Sequence, residues 1–147
     1  MDAVLPVLIS RAEATRDTEA ARAQQAAMAV RQAHDTLRRL GEFRDELIGR
    51  SAAATLGRTD TDALAGYQVF MTRLGDAMSQ QTREATRREQ ALASQQARLV
   101  EAQQRVLALQ TLVRRRAATR DAKQARIEQR NTDDFAARAF ARAAQER

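Results

Sequence analysis

The sequence of 147 residues contains no cysteine, no tryptophan and a single proline. Without cysteine, the chain has no disulfide bonds, no thiolate nucleophile and no thiolate metal ligand. Aromatic residues make up only 3% of the chain, which is too few to fill a globular core of this length. We therefore expect side-chain burial along a narrow seam between long helices.

Long apolar runs are also missing. No stretch approaches the ~20 apolar residues that cross a bilayer, so direct membrane insertion is not expected. The N-terminal segment MDAVLPVLIS has no basic leader, and Pro6 interrupts its short apolar stretch. We interpret it as lacking a signal peptide, which predicts a cytoplasmic protein.

Charged residues are abundant, at 30% of the chain, and the net charge is +6. Residues 1–50 carry eight basic and eight acidic groups, whereas residues 114–147 carry ten basic and five acidic groups. Alanine, arginine, glutamine, leucine and glutamate dominate, as is typical of long helices and coiled coils. The basic excess in the last quarter indicates either a binding partner or a solvated tail.

A first helix is predicted over about residues 4–49. Pro6 is tolerated only in the first turn of a helix, and Gly49 is suited to a C-cap. Arg16, Glu19 and Arg44 interrupt an otherwise apolar or small heptad series. The members of that series are Ile9, Ala12, Ala23, Ala26, Val30, Ala33, Leu37, Leu40 and Leu47.

A loop is predicted at about residues 50–61, although part of 51–56 is also compatible with helix. Thr59 and Asp62 fit a capping box, and Thr61 is an alternative N-cap for a second helix. That helix is predicted over about residues 62–141, with its C-terminal end frayed.

The second helix has the clearest heptad pattern of the chain. Its a positions are apolar throughout: Leu64, Met71, Met78, Ala85, Leu92, Leu99, Val106 and Val113. Its d positions are mixed: Tyr67, Leu74, Gln81, Arg88, Gln95, Ala102 and Leu109. A heptad repeat of this length predicts a left-handed coiled coil. We expect its seam to include Val30, Leu37, Leu64, Met71, Met78, Leu92, Leu99, Val106 and Val113.

The predicted fold class is all-α, with two long helices forming an antiparallel coiled-coil hairpin in a single domain, residues 1–147. Folding at about residue 56 places Leu37 near Gly75 and Gly41 near Met71. These glycines either permit close approach of the helices or merely weaken them. The second helix is longer and overhangs by roughly forty residues, or about 60 Å. Because an isolated helix is marginal in water, we expect this overhang either to fray or to bind a partner.

No constellation of catalytic residues is recognisable, and we predict no enzyme activity, no metal site and no cofactor. The only histidine, His34, is expected at the solvent edge of the seam. The carboxylates of Glu42, Asp45 and Glu46 are expected to pair with Arg38 or Arg50 through i,i+4 contacts.

The basic residues after the seam are Arg114, Arg115, Arg116, Arg120, Lys123, Arg126 and Arg130. Nucleic acid is one conceivable partner, but acidic residues are interspersed and aromatics for base stacking are missing. A membrane-surface helix needs a bulky apolar face, and this stretch offers mostly alanine. We therefore expect no nucleic acid and a protein partner.

Bulky residues concentrate around the predicted loop: Leu40, Phe43, Leu47, Tyr67, Phe70, Met71, Leu74 and Met78. A two-stranded seam does not need all of them. They either thicken the core or form an exposed apolar docking patch. Both interpretations stay open, with docking preferred.

The chain resembles the FliJ family of the flagellar type III protein-export apparatus. The resemblance lies in LRRLGEFRDEL, at residues 37–47, and in IEQRNTDDFAARAF, at residues 127–140. Its most specific part is GYQVFMTRLGDAMSQQ, at residues 66–81. The stalk proteins of virulence injectisomes, of the YscO type, are related and share the fold.

This resemblance implies a non-enzymatic stalk that couples the hexameric export ATPase to the cytoplasmic domain of the export-gate membrane protein. Export chaperones are a further partner class, and the location would be cytoplasmic and peripheral to the inner membrane. The implied gate-binding residues are Leu40, Phe43, Leu47, Phe70, Leu74, Ala77 and Gln81. Phe43 and Leu47 stand where the family often has tyrosine. The ATPase-facing part would be the basic helix described above. An injectisome stalk and a generic coiled-coil adaptor are the alternatives.

Overall fold

A computed structural model describes residues 3–55 and 61–146 of the chain. Helix α1 spans Val4–Thr55 with 52 residues, and helix α2 spans Thr61–Gln145 with 85 residues. No strand occurs in these two described ranges. The prediction of an all-α chain with a longer second helix is confirmed.

Helix α1 carries Pro6 in its first turn, where the missing backbone N–H costs nothing. The expected end of the helix at Gly49 is wrong, because α1 continues to Thr55. No described glycine has a positive φ, so Gly49 does not form the left-handed C-cap. The residues that follow it include three alanines, and alanine is the best helix former.

Helix α2 begins at Thr61 and has Asp62 in its first turn. A carboxylate at this position is favoured by the helix dipole, as is Arg142 in the last turn. Thr59, the other predicted capping residue, lies outside the described residues.

The chain divides into two compact units. Unit 1 contains residues 1–14 and 103–147, and unit 2 contains residues 15–102. Each unit is therefore built from one segment of α1 and one of α2. The assignment of residues 1–147 to one domain stays a prediction.

In unit 2 the two helices run antiparallel. The Phe43 and Phe70 rings lie 6.1 Å apart between centroids. Further along, the Gln81 amide donates to the backbone oxygen of Ala33 at 3.3 Å, and Gln95 donates to that of Glu19 at 3.2 Å. Partner numbers thus rise along α2 as they fall along α1, which defines a helical hairpin.

Small side chains dominate the core of unit 2. Among the described residues of unit 2, Ala33 is 0% exposed, Ala85 4% and Ala102 5%, and Leu74 at 7% is the one large buried residue. Alanines at a helix–helix contact allow the two backbones to approach more closely than leucines do. The seam is consequently narrow.

In unit 1, Val106 is the buried core residue at 3% exposure. Leu5 and Ile9 of α1 and Leu109 of α2 are half-buried. Every described residue from 118 to 146 is exposed. Within unit 1, α2 therefore continues as a solvent-exposed helix.

The glycines do not mark points of forced close approach. A Cβ atom built on Gly41 would lie 3.9 Å from the Met78 Cε, an ordinary contact, and one on Gly75 meets nothing within 4 Å. Gly41 thus lies next to Met78 rather than next to the expected Met71 as its nearest side chain. Both glycines act mainly by lowering helix propensity.

Candidate functional site

An aromatic pair from both helices stands at the surface of unit 2. The Phe43 and Phe70 rings meet edge to face, with an interplanar angle of 77°. Each residue is 44% exposed. Edge-to-face contact fixes the two rings against each other, while about half of each remains available to another molecule. We call them the Phe43/Phe70 pair.

The other predicted gate-binding residues differ in their exposure. Leu40 and Leu47 are half-buried, and Ala77 is exposed. Leu74 is only 7% exposed, and the half-buried Gln81 is bonded to the Ala33 carbonyl. Phe43, Phe70 and Ala77 are thus the exposed members of the set. Leu74 and Gln81 belong to the interior of the hairpin instead.

The bulky residues near the predicted loop differ in their exposure. Tyr67, Met71 and Met78 are half-buried and widen the seam. Phe43 and Phe70 keep a large exposed fraction. The aromatic residues that lie beside the heptad stripe are therefore the ones at the surface.

The basic residues of α2 form an exposed segment of unit 1. We call this set the basic segment: Arg114, Arg115, Arg116, Arg120, Lys123, Arg126 and Arg130, all of them exposed. No ion pair within 4 Å between described residues involves any member. The nearby carboxylates of Glu128 and Asp133 accept hydrogen bonds from Gln124 at 3.3 Å and Gln129 at 3.0 Å. The segment therefore presents positive charge without close ion pairing.

The predicted seam residues fall into three burial groups. Val106 is buried, and six are half-buried: Val30, Leu37, Met71, Met78, Leu92 and Leu99. Leu64 and Val113, at the two ends of the series, are 47% and 39% exposed. On α2 the buried and half-buried members thus extend from Met71 to Val106.

Three polar d positions of α2 hold the helices of unit 2 together, which sequence reasoning missed. Gln81, Arg88 and Gln95 follow one another at heptad spacing. Besides the two glutamine bonds given above, the Arg88 Nη1 donates to the Ala29 carbonyl at 3.0 Å, and Gln95 also donates to the Glu19 carboxylate. At Ala29 and Ala33 the small side chains of α1 leave its backbone open to Arg88 and Gln81. The signal in the sequence was the repeat of polar residues at three successive d positions.

Ion pairs at the surface of unit 2 follow helix spacing. Arg50 pairs with Glu46 at 2.6 Å in the predicted i,i+4 arrangement, whereas Arg38 pairs with Asp35 at 3.4 Å. His34 Nε2 lies 2.7 Å from the Glu89 Oε1, a contact between the helices. Both of these side chains are about half exposed, so the contact adds little stability.

No group of three or more histidine, aspartate or glutamate side chains among the described residues is placed to hold a metal ion. No described helix is both long enough and apolar enough to cross a membrane.

Comparison with known proteins assigns the family. A family profile described as "Flagellar FliJ protein" matches residues 1–145. Comparisons with curated proteins and with solved structures find no significant match. The resemblance drawn from residues 37–47, 66–81 and 127–140 is thereby confirmed. The chain belongs to the FliJ family, whose members are non-catalytic export components, and it is a coiled-coil protein associated with flagellar type III protein export.

Proposed function

We propose that this protein is a stalk that binds the export ATPase through its basic segment and the export gate through the Phe43/Phe70 pair. The observation that carries the proposal is that two surfaces of different chemistry lie in separate units. One is an exposed cationic helix in unit 1, and the other is a half-exposed aromatic pair in unit 2. Two such surfaces suit two different partners.

The Phe43/Phe70 pair is suited to protein docking because aromatic rings supply much of the energy of protein interfaces. Both rings are already held by their mutual contact, so little side-chain entropy is lost on binding. Leu40, Leu47 and Ala77 border the pair in this proposal. Leu74 and Gln81 support it from inside the hairpin.

The basic segment is suited to an acidic protein surface. Its arginine side chains can form bidentate contacts with carboxylates, and none is engaged in an ion pair between described residues. Positive charge along an exposed helix also accelerates association with an acidic partner. The export ATPase hexamer is the partner that the family suggests, and attachment to it and to the gate makes the location peripheral to the inner membrane.

Binding and turnover measurements test the proposal. Isothermal titration with the purified export ATPase and with the purified cytoplasmic domain of the gate protein should give a saturable signal for each. The chain alone should hydrolyse no ATP, and it should raise the turnover of the ATPase. The proposal fails if neither partner binds.

Nucleic acid is the alternative for the basic segment, and the same protein sample tests it. A nucleic-acid binder shifts duplex DNA at low salt, with affinity that falls steeply as salt rises. A shift of that kind, together with no binding to the ATPase, would assign the segment to nucleic acid. We expect no shift.

A further inference from the structure

The last part of α2 carries two phenylalanines that lie open to solvent. Phe135 is 75% exposed and Phe140 is 79% exposed, more than any other large hydrophobic residue that the structure describes. Every described residue from 118 to 146 is exposed, so the whole stretch is a free helix surface within unit 1. Apolar side chains that share one exposed face mark a site of protein interaction.

Heptad spacing places the two phenylalanines at the two edges of a stripe of mostly small residues. In a heptad counted with Ala136 at position a, Phe135 is a g residue and Phe140 is an e residue, and both border the a and d positions. The a and d positions are small or short polar residues: Ala125, Gln129, Thr132, Ala136, Ala139 and Ala143. Small residues there let two helices approach closely, so that the edge residues contact the facing helix. We call this surface the 125–143 face.

The 125–143 face is not a continuation of the seam of the hairpin. The a series of the seam continues at Ile127, Asp134 and Ala141. In the heptad of the 125–143 face these are f positions, which lie on the opposite side of the helix. The face therefore needs a partner of its own.

Charged residues at heptad distance from Phe135 make the face complementary to itself. Glu128 lies seven residues before Phe135 and Arg142 lies seven residues after it, so all three share one edge of the face. When two copies pair antiparallel with Phe135 facing Phe135, Glu128 of each copy lies opposite Arg142 of the other. Within one chain the two charges are roughly 21 Å apart, and neither takes part in an ion pair between described residues.

The other edge of the face fits the same antiparallel register. Arg126, Asp133 and Phe140 follow one another there at intervals of seven residues. Asp133 then faces its own copy, and Arg126 of each copy faces the ring of Phe140 of the other, a favourable cation–π arrangement. The opposed Asp133 carboxylates are the unfavourable contact of this register, and they limit its stability.

The exposed stretch of α2 is long enough for this pairing. With Phe135 facing Phe135, residues 124–146 of the two copies overlap over roughly 33 Å. The overlap lies entirely within the exposed residues 118–146, so pairing displaces no packing contact of unit 1.

We propose that the 125–143 face binds a second copy of this chain in an antiparallel, two-fold symmetric dimer. The interface is isologous, so each favourable contact occurs twice. Because its a and d residues are mostly alanine and bury little apolar area, the dimer is weak and its population depends on concentration. This inference goes beyond the proposed function, since it involves neither the export ATPase nor the gate.

Sedimentation equilibrium of the full-length chain tests the inference. Monomer should convert to dimer as the concentration rises toward millimolar. Phe135→Ala should raise the dissociation constant of the dimer about tenfold, because it removes the aromatic pair at the symmetry axis. Ile127→Ala is the matched control, since it truncates an exposed apolar residue on the opposite side of the helix, and it should change the constant less than about twofold. A chain that stays monomeric throughout overturns the inference.

Charge exchange tests the orientation and register of the dimer. Glu128→Arg alone and Arg142→Glu alone should each weaken it about tenfold, because each places like charges opposite one another in both symmetric contacts. Arg142→Glu also lowers the net positive charge, so its effect is not one of general repulsion. The two substitutions together should restore the affinity of the parent chain to within about twofold. If the combined variant dimerises no better than the single ones, the antiparallel register is wrong.

Chemical cross-linking checks the position of the symmetry axis. The chain has no cysteine, so a single introduced cysteine is the only target for a short bis-maleimide. Asp133→Cys should cross-link to its own copy and, by removing the opposed carboxylates, should also strengthen the dimer. Asp134→Cys is the matched control, because it changes the neighbouring aspartate on the opposite side of the helix. Equal yields of cross-linked dimer from both variants would contradict the proposed interface, and far-UV circular dichroism establishes that each variant keeps its helix content.

Discussion

Leu74 is one of the predicted gate-binding residues, and replacing it with alanine tests whether its role is structural. Leu74 is 7% exposed, and among the residues of unit 2 whose burial the structure describes it is the one large core residue. Leucine-to-alanine changes in cores cost about 2–5 kcal/mol. Since a two-helix seam is open to solvent on both sides and can relax, we expect a value near the lower end, about 2–3 kcal/mol.

The same substitution at Leu64 provides the control. Leu64 lies on the same helix but is 47% exposed. Its replacement therefore loses only about half of the free energy of burying the side chain, and water fills the space that the side chain leaves. We expect a loss of about 0.5–1 kcal/mol. For a chain of this size each kcal/mol shifts the Tm by roughly 2–4 °C. Leu74→Ala should therefore lower the Tm by about 4–12 °C and Leu64→Ala by about 1–4 °C.

Thermal unfolding followed by circular dichroism at 222 nm measures both variants. Urea unfolding should show a lower midpoint with an unchanged slope, because the surface exposed on unfolding is the same. Leu74→Met, which keeps the volume, should recover most of the loss. If Leu74→Ala and Leu64→Ala melt at the same temperature, the assignment of Leu74 to the core is refuted.

Three further predictions follow from contacts and exposure. Gln95→Ala removes its hydrogen bonds to Glu19 and should cost about 1 kcal/mol in urea unfolding, whereas Gln96→Ala at an exposed neighbour should cost nothing. Gly75→Ala should stabilise the chain by about 0.5–1 kcal/mol, since a methyl group there meets nothing within 4 Å; a lower Tm would contradict this. Deleting residues 118–147 should change the stability of unit 2 by less than about 0.5 kcal/mol, because the described residues from 118 to 146 are exposed, and a large drop in its Tm would count against that.

The heptad pattern predicted the fold because the burial of a helix face depends on the spacing of residues. The period of apolar residues from Met71 to Val106 marks the face that is buried or half-buried. The period does not predict the burial of the residues at the two ends of the series. Leu64 and Val113 fit the period, but their exposure depends on what packs opposite them.

Two features needed the structure. In the sequence, the apolar pattern of α2 is interrupted at Gln81, Arg88 and Gln95. Their spacing does not reveal that their side-chain N–H groups donate to backbone carbonyls of α1. Gly49 read as a C-cap because glycine favours that site, whereas the alanines beyond it favour helix. The preference of glycine for a C-cap and the helix propensity of alanine are opposed at this point, and α1 continues to Thr55.

The candidate site was predicted in part. Apolar residues beside the stripe, Phe43 and Phe70, pointed to a surface patch, and the structure places their rings in contact. The sequence did not reveal that Leu74 and Gln81 belong to the interior of the hairpin, because this depends on burial and hydrogen bonds.

A crossed binding measurement tests most directly the central claim that two separate surfaces serve two partners. One variant combines Phe43→Ala with Phe70→Ala, another combines Arg116→Glu with Arg120→Glu, and Val69→Ala is the control because Val69 is a 53% exposed apolar neighbour. Each is titrated with the export ATPase and with the gate cytoplasmic domain. The account predicts that the phenylalanine variant loses only the gate, the arginine variant loses only the ATPase, and the control keeps both. Two results would contradict the account. One is a folded variant that binds neither partner, and the other is that all variants still bind both partners.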